Sequence, residues 1–393
     1  MEKMEWDVLI IRYSEIAVKG RHARSTMTWN LKNNIRIALE REGIEHVIEA
    51  APGRIYVKTV KKEEMINATT ILKRVFGLKS ISPSRVYLLE PNLEATLETI
   101  IDEFIHRIKG ASFRIRARRI GKHDFTSKDV ERIAGAKVLE RRPDLNVNLE
   151  DPDYTLWVEV RGEELYVYDM IIHGPGGLPI GSSGKSLVLF SGGFDSTVAS
   201  WYILHRGAKV DLIYYDIGDE ENFEIAKQAA ENLYNHYVMG AYSLSLIRVW
   251  FHAVSEKLAS QLNPSYATLI LRRFMLEHAA RYALSNGYHN IGTGESLAQV
   301  SSQTAQSLLM IGANLPLPVL RPLIGFDKDD IVRKAAEIGV YDIVSHQREF
   351  CAQRRRRPTP KPNPRTYEKE LLKARQLAEI LVKKAPIKRY VIS

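Results

Sequence analysis

Ser186-Leu187-Val188-Leu189-Phe190-Ser191-Gly192-Gly193-Phe194-Asp195-Ser196-Thr197 is the stretch that decides the fold. Residues 186 to 190 are an apolar run of strand length, 197 to 206 read as a helix, and 209 to 217 form another apolar strand. A strand, a helix and a second apolar strand in succession make a crossover unit, which implies a parallel, doubly wound sheet. The loop between the first strand and the helix is built for an anion. Gly192 and Gly193 let the backbone turn tightly and expose N–H groups, Ser191, Ser196 and Thr197 add hydroxyls, and the helix N-terminus adds partial positive charge. Asp195 inside such a site would repel phosphate unless a divalent cation lay between them, which points to Mg²⁺ bridging Asp195 and a nucleotide. The bland alternative is a glycine-rich turn without a ligand; the agreement of strand, loop and helix weighs against it. Gly181-Ser182-Ser183-Gly184-Lys185-Ser186 has the look of a Walker A loop, but Pro179 stands where that motif needs glycine and the segment precedes its strand, so it is set aside.

Working outward, residues 266–285 and 328–338 read as helices flanking a strand at 289–292. Upstream, His173-Gly174-Pro175-Gly176-Gly177-Leu178-Pro179 is dense enough in Gly and Pro to end a domain. The expected division is a first domain at 1–60, a second at 61–172, a linker at 173–186 and a third domain at 187–393. The first holds strands at 7–11 and 54–60 around an amphipathic helix at 27–41. The second holds helices at 63–75, 93–109 and 127–140, a strand at 112–118, and strands at 155–161 and 164–171 joined by a hairpin at Arg161-Gly162-Glu163. The fold class is α/β, two mixed domains followed by the parallel-sheet domain. In the strand at 112–118, alternation puts Arg114, Arg116 and Arg118 on one face. With Arg119 and Lys122 they form a cluster uninterrupted by acids, the pattern of a phosphate-backbone footprint; a solvated charged face is the other reading.

The 393 residues, 45% of them apolar, suffice for two or three packed domains. Apolar runs stay far below the roughly 18 residues of a membrane span, and the first residues lack a signal-peptide pattern, so a cytoplasmic protein without a membrane partner is expected. One cysteine, Cys351, precludes an intramolecular disulfide, a CxxC pair or a cysteine-rich metal site supplied by these residues alone. The net charge of +9 is concentrated: residues 345–393 hold 14 Lys and Arg against 4 Asp and Glu, leaving 1–344 near −1. Cys351 sits among Arg348 and Arg354, Arg355, Arg356 and Arg357, whose cations favour a thiolate. A lone cysteine is otherwise a small buried hydrophobe.

Ser191 to Ser196 resembles the loop of the PP-loop ATP pyrophosphatases, which cleave ATP between its α and β phosphates and adenylate their substrates. Thr293-Gly294-Glu295-Ser296-Leu297-Ala298-Gln299-Val300-Ser301-Ser302-Gln303-Thr304, Leu320-Arg321-Pro322-Leu323-Ile324-Gly325-Phe326-Asp327-Lys328 and the linker with Gly184-Lys185 are similar to one branch, the tRNA 4-thiouridine synthetases or tRNA sulfurtransferases. The similarity runs over nearly the whole chain. It implies a ferredoxin-like domain, an RNA-binding THUMP domain and a PP-loop domain, with ATP and Mg²⁺ used to adenylate O4 of the uridine at position eight of tRNA before sulfur displaces AMP. By position in the motifs, Leu189, Phe190, Tyr214 and Tyr215 would border adenine and ribose, Arg272 and Gln303 would contact nucleotide, and Gly294 would allow its close approach. Each has a plain alternative: sheet core for Leu189 and Phe190, strand-end packing for the tyrosines, a salt bridge for Arg272. Cys351 matches the family cysteine that carries a persulfide. Catalytic roles thus fall to Cys351 and Asp195, and RNA contacts to Arg114, Arg116, Arg118, Arg119, Lys122 and Arg354 to Arg357. Some members add a rhodanese-like domain with a second cysteine, and others hold an iron-sulfur cluster on several cysteines; neither is expected here, so an external thiol or partner, such as a cysteine desulfurase, would resolve the persulfide, or free sulfide would act directly. The resemblance also leaves room for a homodimer and a role in thiamine biosynthesis. The rival readings are a small-molecule PP-loop ligase, another tRNA base thiolase, and a non-catalytic RNA-binding protein.

Overall fold

The structure is a computed structural model describing residues 5–13, 15–347 and 359–393. The chain divides into two compact units, Met1–Lys19 with Ala38–Gly176, and Gly20–Ile37 with Gly177–Ser393.

In chain order the first elements are β1 (Val8–Arg12), α1 (Arg21–Arg41), β2 (His46–Ala51), β3 (Arg54–Thr59), α2 (Met65–Leu72), β4 (Ser80–Leu88), α3 (Leu93–Phe104), β5 (Ser112–Ile120), α4 (Ser127–Arg141), β6 (Asn146–Val147), β7 (Tyr154–Arg161), β8 (Glu164–Tyr168) and β9 (Ile172–His173). Their strands join in the order β2-β3-β1-β4-β8-β7-β5-β6, with β9 added on β4. β4 ties this sheet together, because its residues 80–84 pair with β1 and 85–88 with β8. The division expected at residue 60 falls between β3 and α2, inside one continuous sheet. Leu9, Ile11, Ile55 and Val57 are fully buried on the face that α2 packs against.

The other face of this sheet folds on itself. Tyr56 on β3 and Tyr166 on β8 are three strand spacings apart, roughly 14 Å if the sheet were flat, yet their ring centroids lie 5.1 Å apart. Arg12, Arg54 and Arg161 close on Glu159 at 3.1, 3.3 and 3.1 Å, and the Tyr168 hydroxyl donates to the same carboxylate. Burial alone would raise the Glu159 carboxyl, but the Arg54 and Arg12 guanidiniums outweigh it and hold it at about 2. Because the folded value is depressed, the ion cluster contributes fully above the ordinary 4.5 and is lost only as pH falls from there towards 2.

The remaining elements are β10 (Lys185–Leu189), α5 (Phe194–His205), β11 (Lys209–Asp216), α6 (Glu220–Leu233), β12 (Leu244–Trp250), α7 (His252–Gln261), α8 (Pro264–Ser285), β13 (Asn290–Gly292), α9 (Ala305–Gly312), β14 (Val319–Leu320), α10 (Lys328–Glu337), α11 (Tyr341–Val344), α12 (Pro364–Lys383) and β15 (Ile387–Ile392). They build a six-stranded sheet in the order β14-β13-β10-β11-β12-β15, parallel except for β15, which is the doubly wound architecture expected from the 186–217 unit. The chain runs from β10 to β11 and β12, then returns to place β13 and β14 on the opposite side of β10. β10 is therefore the switch strand, and the crevice beyond its carboxyl end is where such sheets hold ligands. Leu187, Ile213, Ile247 and Val249 form a core with residues of α7, α8 and α12.

α1 begins at Arg21, six residues before the start that apolar spacing indicates. Residues 21–26 are all exposed, so no apolar stripe marks them. Further on, Leu31 and Ile35 are fully buried, and Asn30 and Asn34 donate to Ser182 Oγ and the Ile180 carbonyl at 3.3 and 3.2 Å. α3 ends at Phe104, short of the expected residue 109, and a 3₁₀ turn follows. Among the described residues no helix is long and apolar enough to cross a membrane.

Candidate active site

The loop after β10 turns sharply and enters α5 with Gly193 as its N-cap. Gly192 has φ +84°, and a Cβ on it would lie 2.4 Å from Ala226 Cα in α6, so only glycine fits that turn. The loop is braced from within: Ser196 Oγ accepts from Ser191 N at 3.2 Å, lies 3.1 Å from Ser191 Oγ, and donates to the Gly193 carbonyl at 3.3 Å. Gly193 N donates to Ser191 Oγ at 3.4 Å, and the N–H groups of the first turn of α5 lack intrahelical acceptors by construction.

Two distant segments meet Asp195. Lys328 Nζ, at the start of α10, donates to Asp195 Oδ1 at 2.8 Å, and Gln299 Nε2 donates to Oδ2 at 3.1 Å. Lys328 also lies 5.4 Å from the Phe194 ring centroid. The segment after β13 can come this close because residue 294 is glycine: a Cβ there would lie 2.5 Å from the Asp195 carbonyl carbon. Gly294 thus admits the α5 backbone, a different reason for glycine than the nucleotide approach expected from the motif. Ala298, in the same segment, has φ +62°, a strained conformation for a residue with a side chain. An open cavity of about 530 Å³, lined by Ser296 to Gln299 and Ile324 to Lys328, adjoins this cluster.

Behind it lies a buried charge network. Glu295, 3% exposed, accepts from Arg272 Nη2 at 2.8 Å and from Arg321 Nε at 2.7 Å, while Arg272 Nη1 donates to Ser302 Oγ at 2.9 Å. Two guanidiniums share one carboxylate, and Arg321 Nη2 is buried without a partner. The excess positive charge and the unspent donor suit an anion. Gln303 Oε1 accepts from Ser296 N at 3.3 Å and so holds the 296–303 segment in shape.

The other expected nucleotide residues lie around the carboxyl ends of β10 and β11. Leu189 is half-buried and Phe190 buried. Tyr214 packs edge-on against Phe223 at 5.3 Å, in front of Arg248, which bridges Asp216 and Glu220. Tyr215 points to the opposite side of the sheet: its hydroxyl is 2.8 Å from the Met275 carbonyl and 2.9 Å from His278 Nδ1, and its ring packs on Phe251. Burial, helped by Arg281, holds His278 near 4, so its ring stays neutral. Packing accounts for Tyr215. Thr197 is fully buried, and its hydroxyl has no partner; it lies beneath the loop and offers only its backbone to the helix start.

On β5, Arg116 and Arg118 are exposed beside Trp157 and Glu159 of β7, whereas Arg114 donates to Thr155 Oγ1 and the Leu149 carbonyl. Arg119 is half-buried and donates to the Gly121 and His123 carbonyls; Lys122 is exposed. Cys351, Arg354, Arg355, Arg356 and Arg357 lie outside the described residues. The last described residue before them, Gln347, donates its side-chain amide to the Ser191 carbonyl of the phosphate loop.

Nothing in the sequence by itself singles out Lys328, Gln299, Glu295 or Arg321. All four lie inside the quoted motif stretches, and Lys328 directly follows Asp327, the N-cap of α10.

Comparison with known proteins places these features in context. The family described as thiamine biosynthesis protein (ThiI) matches residues 181–375, the THUMP domain matches 90–169, and the ThiI ferredoxin-like domain matches 8–82. A probable tRNA sulfurtransferase of Aeropyrum pernix is 44% identical over 374 residues, covering 95% of this chain and 93% of that one. The tRNA sulfurtransferase of Desulfurococcus amylolyticus is 38% identical over 347 residues, covering 88% and 70%. The crystal structure of a 4-thiouridine synthetase–RNA complex with bound ATP superposes with a TM-score of 0.80 at 27% identity, covering 99% of this chain and 100% of that one.

Proposed function

Since the chain belongs to the tRNA sulfurtransferase family, with ferredoxin-like, THUMP and PP-loop domains, we propose that it activates a uridine of tRNA with ATP and replaces O4 by sulfur to give 4-thiouridine. The observation that carries this reading is the convergence on Asp195: a phosphate loop at a helix start, a carboxylate held by Lys328 and Gln299, and the two-arginine network on Glu295 beside it.

A carbonyl oxygen is a poor leaving group; adenylation of O4 of the uridine at position eight makes it a good one. Uridine O4 attacks the α-phosphorus, and pyrophosphate leaves with the α–β bond. The N–H groups of residues 194–196 and the Lys328 ammonium take up charge on the departing phosphates, and Arg272 and Arg321 hold the triphosphate in line. Among the described residues no group of three or more metal-binding side chains exists. Mg²⁺ in such sites is held mainly by phosphate and water with one or two carboxylates, and Asp195 is the carboxylate that would hold it here. The ion would supply charge neutralisation at the β and γ phosphates.

Sulfur then attacks C4, and AMP leaves with O4. If free sulfide attacks, no electrons are exchanged. If a Cys351 persulfide attacks through its terminal sulfur, the product is bound to Cys351 by a disulfide, and two external thiols supply the two electrons that release 4-thiouridine and restore the cysteine. Exposed Arg116, Arg118 and Lys122 support backbone contacts to tRNA. tRNA and ATP as substrates agree with a cytoplasmic location.

This reading is tested by AMP formation with and without tRNA. A rise of at least about tenfold on adding tRNA is expected, since O4 is the nucleophile; equal rates without RNA would favour a small-molecule ligase.

A further inference from the structure

α1 carries a one-sidedly basic surface outside the site. Between Glu15 and Glu40 the chain has Lys19, Arg21, Arg24, Lys32 and Arg36 and no acid. Arg21, Ser25, Trp29, Lys32 and Arg36 succeed one another at spacings of four, four, three and four, so they form one stripe along the helix. Over fifteen residues that stripe is about 22 Å long. Arg21, Ser25, Trp29 and Arg36 are exposed and Lys32 is partly exposed. Trp29, at 65% exposure, is a large aromatic ring set between cations in open solvent.

Leu31 and Ile35 already anchor the helix on its buried side, so the stripe is not needed for packing. A solvated helix face in an ordinary domain mixes both signs of charge, because like charges at neighbouring turns repel. Three cations, Arg21, Lys32 and Arg36, flanking an exposed indole on a face with no acid before Glu40 have the chemistry of a surface for a polyanion with stackable bases.

We infer that the α1 stripe, with Trp29 at its centre, is an RNA-binding surface separate from the β5 arginines. It rests on the tRNA reading above. The cations lie on phosphates and the indole stacks on an unpaired base or on a terminal base pair. Such a contact fixes how the tRNA lies on the enzyme without reading sequence.

The test is tRNA affinity of the full chain, measured by fluorescence anisotropy across a salt series, for the wild type, for Arg21→Glu/Lys32→Glu/Arg36→Glu, for Trp29→Ala, and for Arg116→Glu/Arg118→Glu on β5. Glutamate is a good helix former and the positions are solvated, so unchanged melting temperatures are expected. The α1 triple variant should lose tRNA affinity by at least about 30-fold and lower the salt slope by about 2 to 3, from 0.9 per phosphate contact; Trp29→Ala should lose about tenfold. AMP formation at saturating tRNA should be retained. If the β5 variant loses affinity while the α1 variants bind like wild type, the inference is overturned and the tRNA reading stands. The inference is overturned equally if the α1 variants change only the sedimentation of the protein, which would make the stripe a contact between copies. If wild type itself shows no affinity for tRNA, the functional reading fails.

Discussion

Asp195→Ala is expected to reduce tRNA-dependent AMP formation by about two to three orders of magnitude, the usual cost of losing a preorganised charge at a developing phosphate. The carboxylate is the meeting point of three segments far apart in sequence, the loop after β10, the segment after β13 and the start of α10, through its contacts with Gln299 and Lys328. Without it Lys328 loses its carboxylate partner, and on the proposed mechanism Mg²⁺ would lose its protein ligand. Folding should be little affected. Asp195 is partly exposed in the first turn of α5, where an acid contributes about 0.3–1 kcal/mol through the helix dipole. Single-turnover AMP release, paired with a thermal melt and with tRNA affinity, separates the outcomes: a folded, tRNA-binding but inactive variant is the expected result, and a variant with wild-type AMP release would reduce the loop to a structural turn.

Cys351→Ser should show an effect of similar size on the second half-reaction alone. With a persulfide-loaded donor, thiolation is expected to fall to background while tRNA-dependent AMP formation persists, because O4 activation does not involve the thiol. With free sulfide at high concentration, thiolation should continue in the variant. The split follows from the single cysteine of the sequence and from the anchor at Gln347, whose side chain binds the Ser191 carbonyl. Cys351 follows Gln347 by four positions in the sequence. On the proposed mechanism, the arginines flanking it in the sequence would favour the thiolate that would accept and pass on sulfur. Full thiolation by Cys351→Ser with the persulfide donor would make this cysteine structural.

What the sequence discloses follows its periodicities. The β10-loop-α5-β11 unit is legible because a buried parallel strand is continuously apolar and its phosphate loop is punctuated by glycine. β4 is not. Its serines at 80, 82 and 84 and its Pro83 give it no apolar alternation, yet the serines are buried, Ser82 Oγ accepting from Arg12 at 2.8 Å and Ser84 donating to the Ser82 carbonyl at 3.0 Å. Local composition cannot reveal hydroxyls satisfied from a neighbouring strand, as for Ser82, or by the strand's own backbone, as for Ser84. β15 and the start of α1 escape for a related reason: both are exposed, so neither shows an apolar face. In the site, Asp195 is legible because it stands in the loop, while Lys328 and Gln299 are not, because they reach it across 133 and 104 residues. Tyr215 shows the limit of motif position. Its neighbour Tyr214 faces α6, and a strand sends successive side chains to opposite sides, which puts Tyr215 into the α8 core.

The most direct measurement of the central claim is mass spectrometry of nucleosides from unmodified tRNA incubated with the full chain, ATP, Mg²⁺ and sulfide, with AMP counted in the same reaction. The expected result is 4-thiouridine at position eight, one AMP formed per modified tRNA, and no product when ATP is replaced by an analogue that cannot be cleaved between its α and β phosphates. Absence of 4-thiouridine with AMP still formed, or thiolation of a different base, would contradict it.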